Sequence, residues 1–176
     1  MIYIDCGFYD GTTLKRYINS KIVTKDWTIY AFEPNPALDM KTYLKSIDLP
    51  VKVLKKAVWT DNKRLKFWVS ERDNASSVDG TVVHAPDHHV RVQGIDFSEF
   101  VSNLPEDYII CSMDIEGAEF PVLKKMIDDE TISKIDLLDI EFHHRFLTKD
   151  TINESRKLIK EIRKRGTRVK LKVPLI

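Results

Sequence analysis

Only two of the 176 residues are cysteine, Cys6 and Cys111. Both lie in apolar, strand-like runs, which excludes a disulfide framework and reads as two buried free thiols in a reducing, cytoplasmic setting. No apolar run approaches the roughly 20 residues of a membrane span, so no membrane partner is expected. The chain opens as Met1-Ile2-Tyr3-Ile4-Asp5, already a strand pattern, so no signal peptide is expected. Glycine is scarce, at six residues, and the GxGxxG of a nicotinamide site is missing. No repeat, low-complexity stretch or interdomain linker interrupts the chain. Neither sign of charge dominates, with 28 Lys and Arg against 27 Asp and Glu. The five histidines fall in two clusters, His84-His88-His89 and His143-His144, and neither has a metal-ligand spacing. No resident metal is therefore predicted, although a divalent ion could recruit His143 with Asp114 and Glu141.

What is present is the composition of one globular domain, residues 1–176, with 43% hydrophobic and 31% charged residues. Short apolar runs alternate with helical spacings. Ile2 to Ile4 is a strand ending at Asp5, and Leu14, Tyr17 and Ile18 mark a helix. Trp27 to Phe32 is a second strand, Ala37 to Ile47 a second helix, and Val51 to Leu54 a third strand. This β-α-β-α-β order predicts an α/β fold, a doubly wound, mostly parallel sheet with helices on both faces. Residues 60–95 read as a strand-rich insertion, after which Asp96 caps a short helix. Tyr108 to Met113 is a fourth strand and Ile135 to His143 a fifth. Thr151-Ile152-Asn153-Glu154 reads as a capping box for a last helix, closed by Gly166 and followed by a strand from Arg168 to Val173.

The unusual residues stand at the strand ends, where ligands sit in open α/β sheets. The first strand runs into Asp5-Cys6-Gly7 and a loop through Gly11, and glycines there let backbone approach a ligand. The second strand ends at Glu33, followed by Pro34 and Asn35. A carboxylate so placed after a glycine loop accepts from ribose hydroxyls, which suggests a nucleoside-type cofactor. Phe8 and Tyr9 in the loop suit a cofactor without a pyrophosphate. The fourth strand ends in Asp114-Ile115-Glu116-Gly117-Ala118-Glu119. Helix-dipole stabilisation accounts for Glu119 but not for Asp114 or Glu116. Asp139, Glu141 and His143 alternate along the fifth strand, either as the wet face of an edge strand or as a polar wall of the cleft. Ser76 and Ser77 read as part of a polar loop.

Taken in order, these stretches resemble the FkbM family of S-adenosylmethionine-dependent methyltransferases. The resemblance rests on Asp5-Cys6-Gly7 with Gly11, Ala31-Phe32-Glu33-Pro34-Asn35-Pro36, Lys56-Ala57-Val58, Val92-Gln93-Gly94-Ile95-Asp96 and Met113 to Glu119. Glu141 and His143 close it. It implies a class I, Rossmann-like methyltransferase fold, here shortened at the C-terminal end, and O-methylation of a hydroxyl on a sugar, glycan or other small molecule. It implies S-adenosylmethionine held by Asp5, Gly7, Gly11, Glu33, Pro34, Asn35, Ala57 and Val58. Phe8-Tyr9 departs from the family's usual Ala-Asn. No helix precedes the first strand, so a cover for the cofactor is either missing or supplied within a homo-oligomer.

Removing the proton of an acceptor hydroxyl needs a base or a metal, and Asp114, Glu116 and His143 are the candidates, His143 because its ordinary pKa lies near neutrality. Two other readings use the same residues: a metal-dependent hydrolase or phosphotransfer domain built on the strand-end acids, and a non-catalytic cofactor-binding relative. The run 156–172 holds nine basic residues and one acid, which leaves a balance of −7 elsewhere. That run is the sole hint of a nucleic-acid partner, which is not the expectation, since a solvated helix face explains it as well.

Overall fold

The computed structural model describes residues 1–69, 76–78, 88–143 and 149–174. Its strands are β1 (Ile2–Cys6), β2 (Thr28–Phe32), β3 (Val51–Leu54), β4 (Ala57–Trp59), β5 (Arg64–Trp68), β6 (Ser77–Val78), β7 (His89–Asp96), β8 (Ile109–Met113), β9 (Leu137–Ile140) and β10 (Arg168–Leu171). Its helices are α1 (Thr12–Asn19), α2 (Met40–Leu44), α3 (Phe97–Ser102), α4 (Glu119–Asp128) and α5 (Lys149–Lys164).

Six strands form one wholly parallel sheet in the order β10-β9-β8-β1-β2-β3. This is the doubly wound order, and its reversal falls between β1 and β8. Period-two alternation sends Ile2, Ile4, Cys6, Phe32, Cys111, Met113, Leu138 and Ile140 to one face, covered by α3, α4 and α5. Tyr3, Ile29, Ala31 and Ile110 go to the other face, under α1 and α2. Cys6 and Cys111 are buried free thiols, with their sulfurs in hydrogen-bond contact at 3.9 Å. The second sheet has the order β4-β7-β5-β6, with β4 and β7 parallel and the remaining pairs antiparallel. Its Ala57, Val58, Phe67 and Val78 line one cleft together with Gly7, Phe32 and Glu33 at the carboxyl ends of β1 and β2. Asp96 caps α3 by accepting from the Glu99 amide at 3.1 Å.

Four local expectations change. The second helix covers Met40–Leu44, not Ala37 to Ile47; Asp39 caps it, and the apolar spacing outlasts the hydrogen-bonded turns. The fifth strand ends at Ile140, because β8 offers no ladder past Met113, whose carbonyl receives the Glu141 amide. It is interior, between β8 and β10, which removes the edge-strand reading. Thr151 lies inside α5, two residues past its start, so it is not the cap. Ser77 is buried in β6 rather than in a loop. His84 and His144 lie outside the described residues.

Candidate functional site

The reversal point of the sheet is closed by one glycine. Gly7 has φ +83°, and a Cβ there would stand 1.9 Å from the Asp114 carbonyl oxygen. Only glycine lets the loops after β1 and β8 meet so closely. The Gly7 and Phe8 amides both donate to the Phe32 carbonyl, and this ties the loop to β2. Phe8 then turns inward and is buried against Gly11, at whose Cβ position its ring leaves no room. Gly11, with φ +74°, starts α1 and does not line the cleft. Tyr9 stays half exposed and stacks on Tyr43.

The cleft is a cavity of about 590 Å³, within the range of small-molecule sites. Gly7, Glu33, Pro34, Asn35, Ala57 and Val58 line one part of it. Glu33 is 6% exposed, and its two carboxylate oxygens accept from the Tyr9 and Asn35 amides, each at 2.8 Å. Burial pushes the Glu33 carboxyl above its ordinary pKa, and the two amides pull it back. Each oxygen keeps a lone pair for a further donor. Asp5 is different: it is fully buried behind the cleft rather than lining it. Its Oδ2 has no hydrogen-bond partner among the described residues. Burial lifts its pKa to about 7, although the Lys172 ammonium opposes the shift.

Asp114 and Glu116 line the other part of the same cavity. Asp114 follows β8, where its amide donates to the Cys6 carbonyl at 3.0 Å. Glu116 and Gly117 both have positive φ, +54° and +100°, so the chain reverses sharply before α4. Glu119 holds that reversal. Its side chain is wholly buried and accepts from the Ile115 and Gly117 amides, both at 2.9 Å. Its Oε1 also lies 3.1 Å from His143 Nδ1. That contact turns His143 Nε2 towards Asp114, Glu116 and Glu141, each at 3.7 Å, which is ion-pair distance rather than a hydrogen bond. Burial disfavours the imidazolium, but Glu119 and the neighbouring carboxylates outweigh it and raise the pKa to about 9. His143 is thus charged at neutral pH, contrary to the expectation of a base poised near neutrality. Burial brings Glu116 to about 7 despite the imidazolium beside it.

Two further residues belong to this group without having been singled out from the sequence. Glu119 had an adequate explanation in the helix dipole; its spacing, two and four residues from the amides it bonds, was the available signal. Lys172, read only as one of a basic run, is nearly buried, with Nζ 3.3 Å from Asp114 Oδ2. Asp139 does not join the cleft. It is fully buried under α1 and takes Tyr17 Oη at 2.7 Å, Arg16 and Lys170. One ligand atom from each of Asp114, Glu141 and His143 lies within 4.8 Å of the others, a spacing that a metal ion could bridge.

The family model described as the methyltransferase FkbM domain matches residues 5–169, nearly the whole chain. This chain belongs to the FkbM methyltransferase family. The six-stranded parallel sheet is accordingly that of a class I, Rossmann-like methyltransferase, in a family whose general methyl donor is S-adenosylmethionine. No curated protein and no solved structure matches the chain. The matched span includes the glycine loop, Glu33, the Asp114–Glu119 turn and His143, and stops short of Lys172. Among the described residues, no helix of this FkbM domain is long and apolar enough to cross a membrane.

Proposed function

We propose that this FkbM domain is an S-adenosylmethionine-dependent O-methyltransferase whose acceptor is a hydroxyl on a sugar, glycan or other small molecule. One observation carries the reading: a single cavity joins a nucleoside-type subsite around Glu33 to the ionisable pair Asp114 and Glu116. The residues present fit the cofactor. Glu33 has acceptor capacity for two ribose hydroxyls, Ala57 and Val58 offer an apolar wall for a base, and Gly7 lines the cleft beside them. Asp5 does not line the cleft, so no direct contact with the cofactor is assigned to it.

The cofactor supplies an already activated methyl group, so the protein's task is to orient the acceptor and take one proton. Glu116 is the base on this reading. Its pKa near 7 leaves it partly ionised at neutral pH yet basic enough to accept the hydroxyl proton. S-adenosylmethionine held beside Glu33 would supply the methyl group, and Glu116 would take the proton that the acceptor hydroxyl gives up. The His143 imidazolium offsets the surrounding carboxylates, and Glu119 holds its ring in place. Transfer of labelled methyl from S-adenosylmethionine to components of a host extract, identified by mass spectrometry, tests the activity. Glu116→Gln should cut turnover at least about a hundredfold and leave cofactor affinity unchanged. Labelling confined to nitrogen or carbon acceptors would overturn the O-methyl assignment.

A second reading rests on the spacing of Asp114, Glu141 and His143. A divalent cation there would lower the acceptor hydroxyl's pKa in place of a base. Activity lost to a chelator and restored by magnesium would select it; activity indifferent to chelation selects Glu116.

A further inference from the structure

We propose that the ring of Tyr9 is the solvent-side cover of the nucleoside subsite and packs against the nucleoside of the bound cofactor. The inference rests on the reading of the Glu33 part as that subsite. Residues 8–11 form a tight turn, closed by the Gly11 amide on the Phe8 carbonyl at 2.8 Å. Tyr9 takes its first central position, with φ +47°. Glycine, asparagine or aspartate is the usual occupant of such a place, because a side chain at positive φ crowds the backbone. The same loop has glycine at its other positive-φ positions, Gly7 and Gly11. A tyrosine between them carries strain that its side chain must justify.

The fold gains little from that side chain. Phe8 is buried in the core, whereas Tyr9 is exposed. Its ring stacks on Tyr43 of α2, with 6.4 Å between centroids. Met1, Tyr9, Ile22 and Val173 are the large apolar side chains left exposed among the described residues, and of these Tyr9 alone lines the cleft. What it covers follows from its backbone. The Tyr9 amide donates to Glu33 Oε2 at 2.8 Å, so the ring is rooted beside an oxygen that has a lone pair left for a ribose hydroxyl. Ala57, Val58, Phe67 and Val78 bring apolar surface to the cleft from the second sheet, and Tyr9 brings it from the turn after β1. A nucleoside held at its ribose by Glu33 has both a flat base and C–H faces to shield from water, and a tyrosine ring packs well on either. Tyr43 does not line the cleft and braces the ring, which limits the freedom lost on binding. The acceptor is read beside Asp114 and Glu116, on the loop after β8, whereas Tyr9 belongs to the turn that holds Glu33.

Calorimetric titration with S-adenosylhomocysteine and with 5′-methylthioadenosine, which keeps the nucleoside but lacks the amino-acid moiety, tests the cover. Tyr9→Asn removes the ring and keeps a residue that tolerates positive φ, whereas Tyr9→Phe keeps the ring. Both ligands should bind Tyr9→Asn at least about fivefold more weakly than wild type, the scale of one aromatic stack, and Tyr9→Phe within about twofold. Relief of the strain should leave Tyr9→Asn melting no lower than wild type. Weaker binding in a fold of equal or greater stability separates a cover from a residue that only holds the loop. Should Tyr9→Asn melt early, Tyr9→Gly makes the same comparison, and early melting of both would overturn the proposal by giving the ring to the fold. Wild type that binds neither ligand would overturn the reading of the Glu33 part, and the cover with it. Wild type that binds, with Tyr9→Asn its equal, would overturn the cover alone. A loss confined to S-adenosylhomocysteine would put Tyr9 at the amino-acid end, and an equal loss in Tyr9→Phe would assign the effect to the hydroxyl; either result overturns the proposal.

Discussion

The two parts of the cleft are built by different physics. In the Glu33 part, a buried carboxylate is held by backbone amides, from Tyr9 and Asn35, and among the described residues no opposite charge touches it. In the Asp114 part, charges meet charges: four carboxylates surround His143, and Lys172 closes on Asp114. Backbone amides do not titrate, and they hold the Glu33 carboxylate against the upward pull of burial. The second is a coupled set whose protonation shifts near neutrality. The first suits binding of an invariant cofactor, the second suits moving a proton.

The contrast can be broken in the order of the expected effects. Gly7→Ala should be the most damaging change, because a Cβ would meet backbone rather than a yielding side chain. A loss of more than about 3 kcal/mol in denaturant unfolding is expected, from positive-φ strain together with the clash. Unfolding at the wild-type midpoint would mean that the two loops are not in contact. Glu119→Ala comes next. It strands two amides and the imidazolium in a buried site, at a cost of about 3 kcal/mol. It should also bring the His143 titration, followed by NMR, down from about 9. A titration that stays put would detach Glu119 from the site.

Glu116→Gln sharpens the contrast without breaking the fold. In the wild type, kcat/KM should rise with pH through about 7, as Glu116 loses its proton, and fall again towards 9, as the imidazolium does. The variant should lose the lower limb. Asp5→Asn is the smallest and is read in stability. The native state holds the Asp5 proton to about pH 7, whereas an unfolded aspartate releases it near its ordinary value. Its contribution is therefore complete at low pH and disappears as pH climbs through 7. The variant should melt higher than wild type at pH 8, on the order of 5 °C, and show no such gain at pH 4. Equal melting shifts at both pH values would remove Asp5 as a titrating group.

The same contrast governs how much was legible in the residues. The sheet was, because each strand is a short apolar run and the burial of both faces leaves no other reading for Tyr3-Ile4 or Ile110-Cys111. The lining of the Glu33 part was legible in three short stretches, Gly7, Glu33-Pro34-Asn35 and Ala57-Val58, whereas Asp5 and Gly11, read from the same loop, do not line it. The Asp114 part was only half legible. Asp114, Glu116 and His143 do converge, but the pKa of His143 depends on Glu119, 24 residues away in sequence, whose buried carboxylate looks like an ordinary helix-start acid until its amide partners are known. Asp139 misled in the opposite way. Its alternation with Glu141 and His143 is real, but β9 stops at Ile140, and Tyr17 and Arg16 of α1 claim Asp139 before the cleft begins.

The central claim is that cofactor binding belongs to the Glu33 part and proton transfer to the Asp114 part. Calorimetric titration of S-adenosylhomocysteine into wild type, Glu33→Ala and His143→Ala tests it directly. The expected result is micromolar binding to wild type, retained in His143→Ala and weakened more than about tenfold in Glu33→Ala, where a carboxylate serving two hydroxyls is lost at a cost on the order of 2 kcal/mol. No binding to wild type, or an equal loss in the two variants, would contradict it.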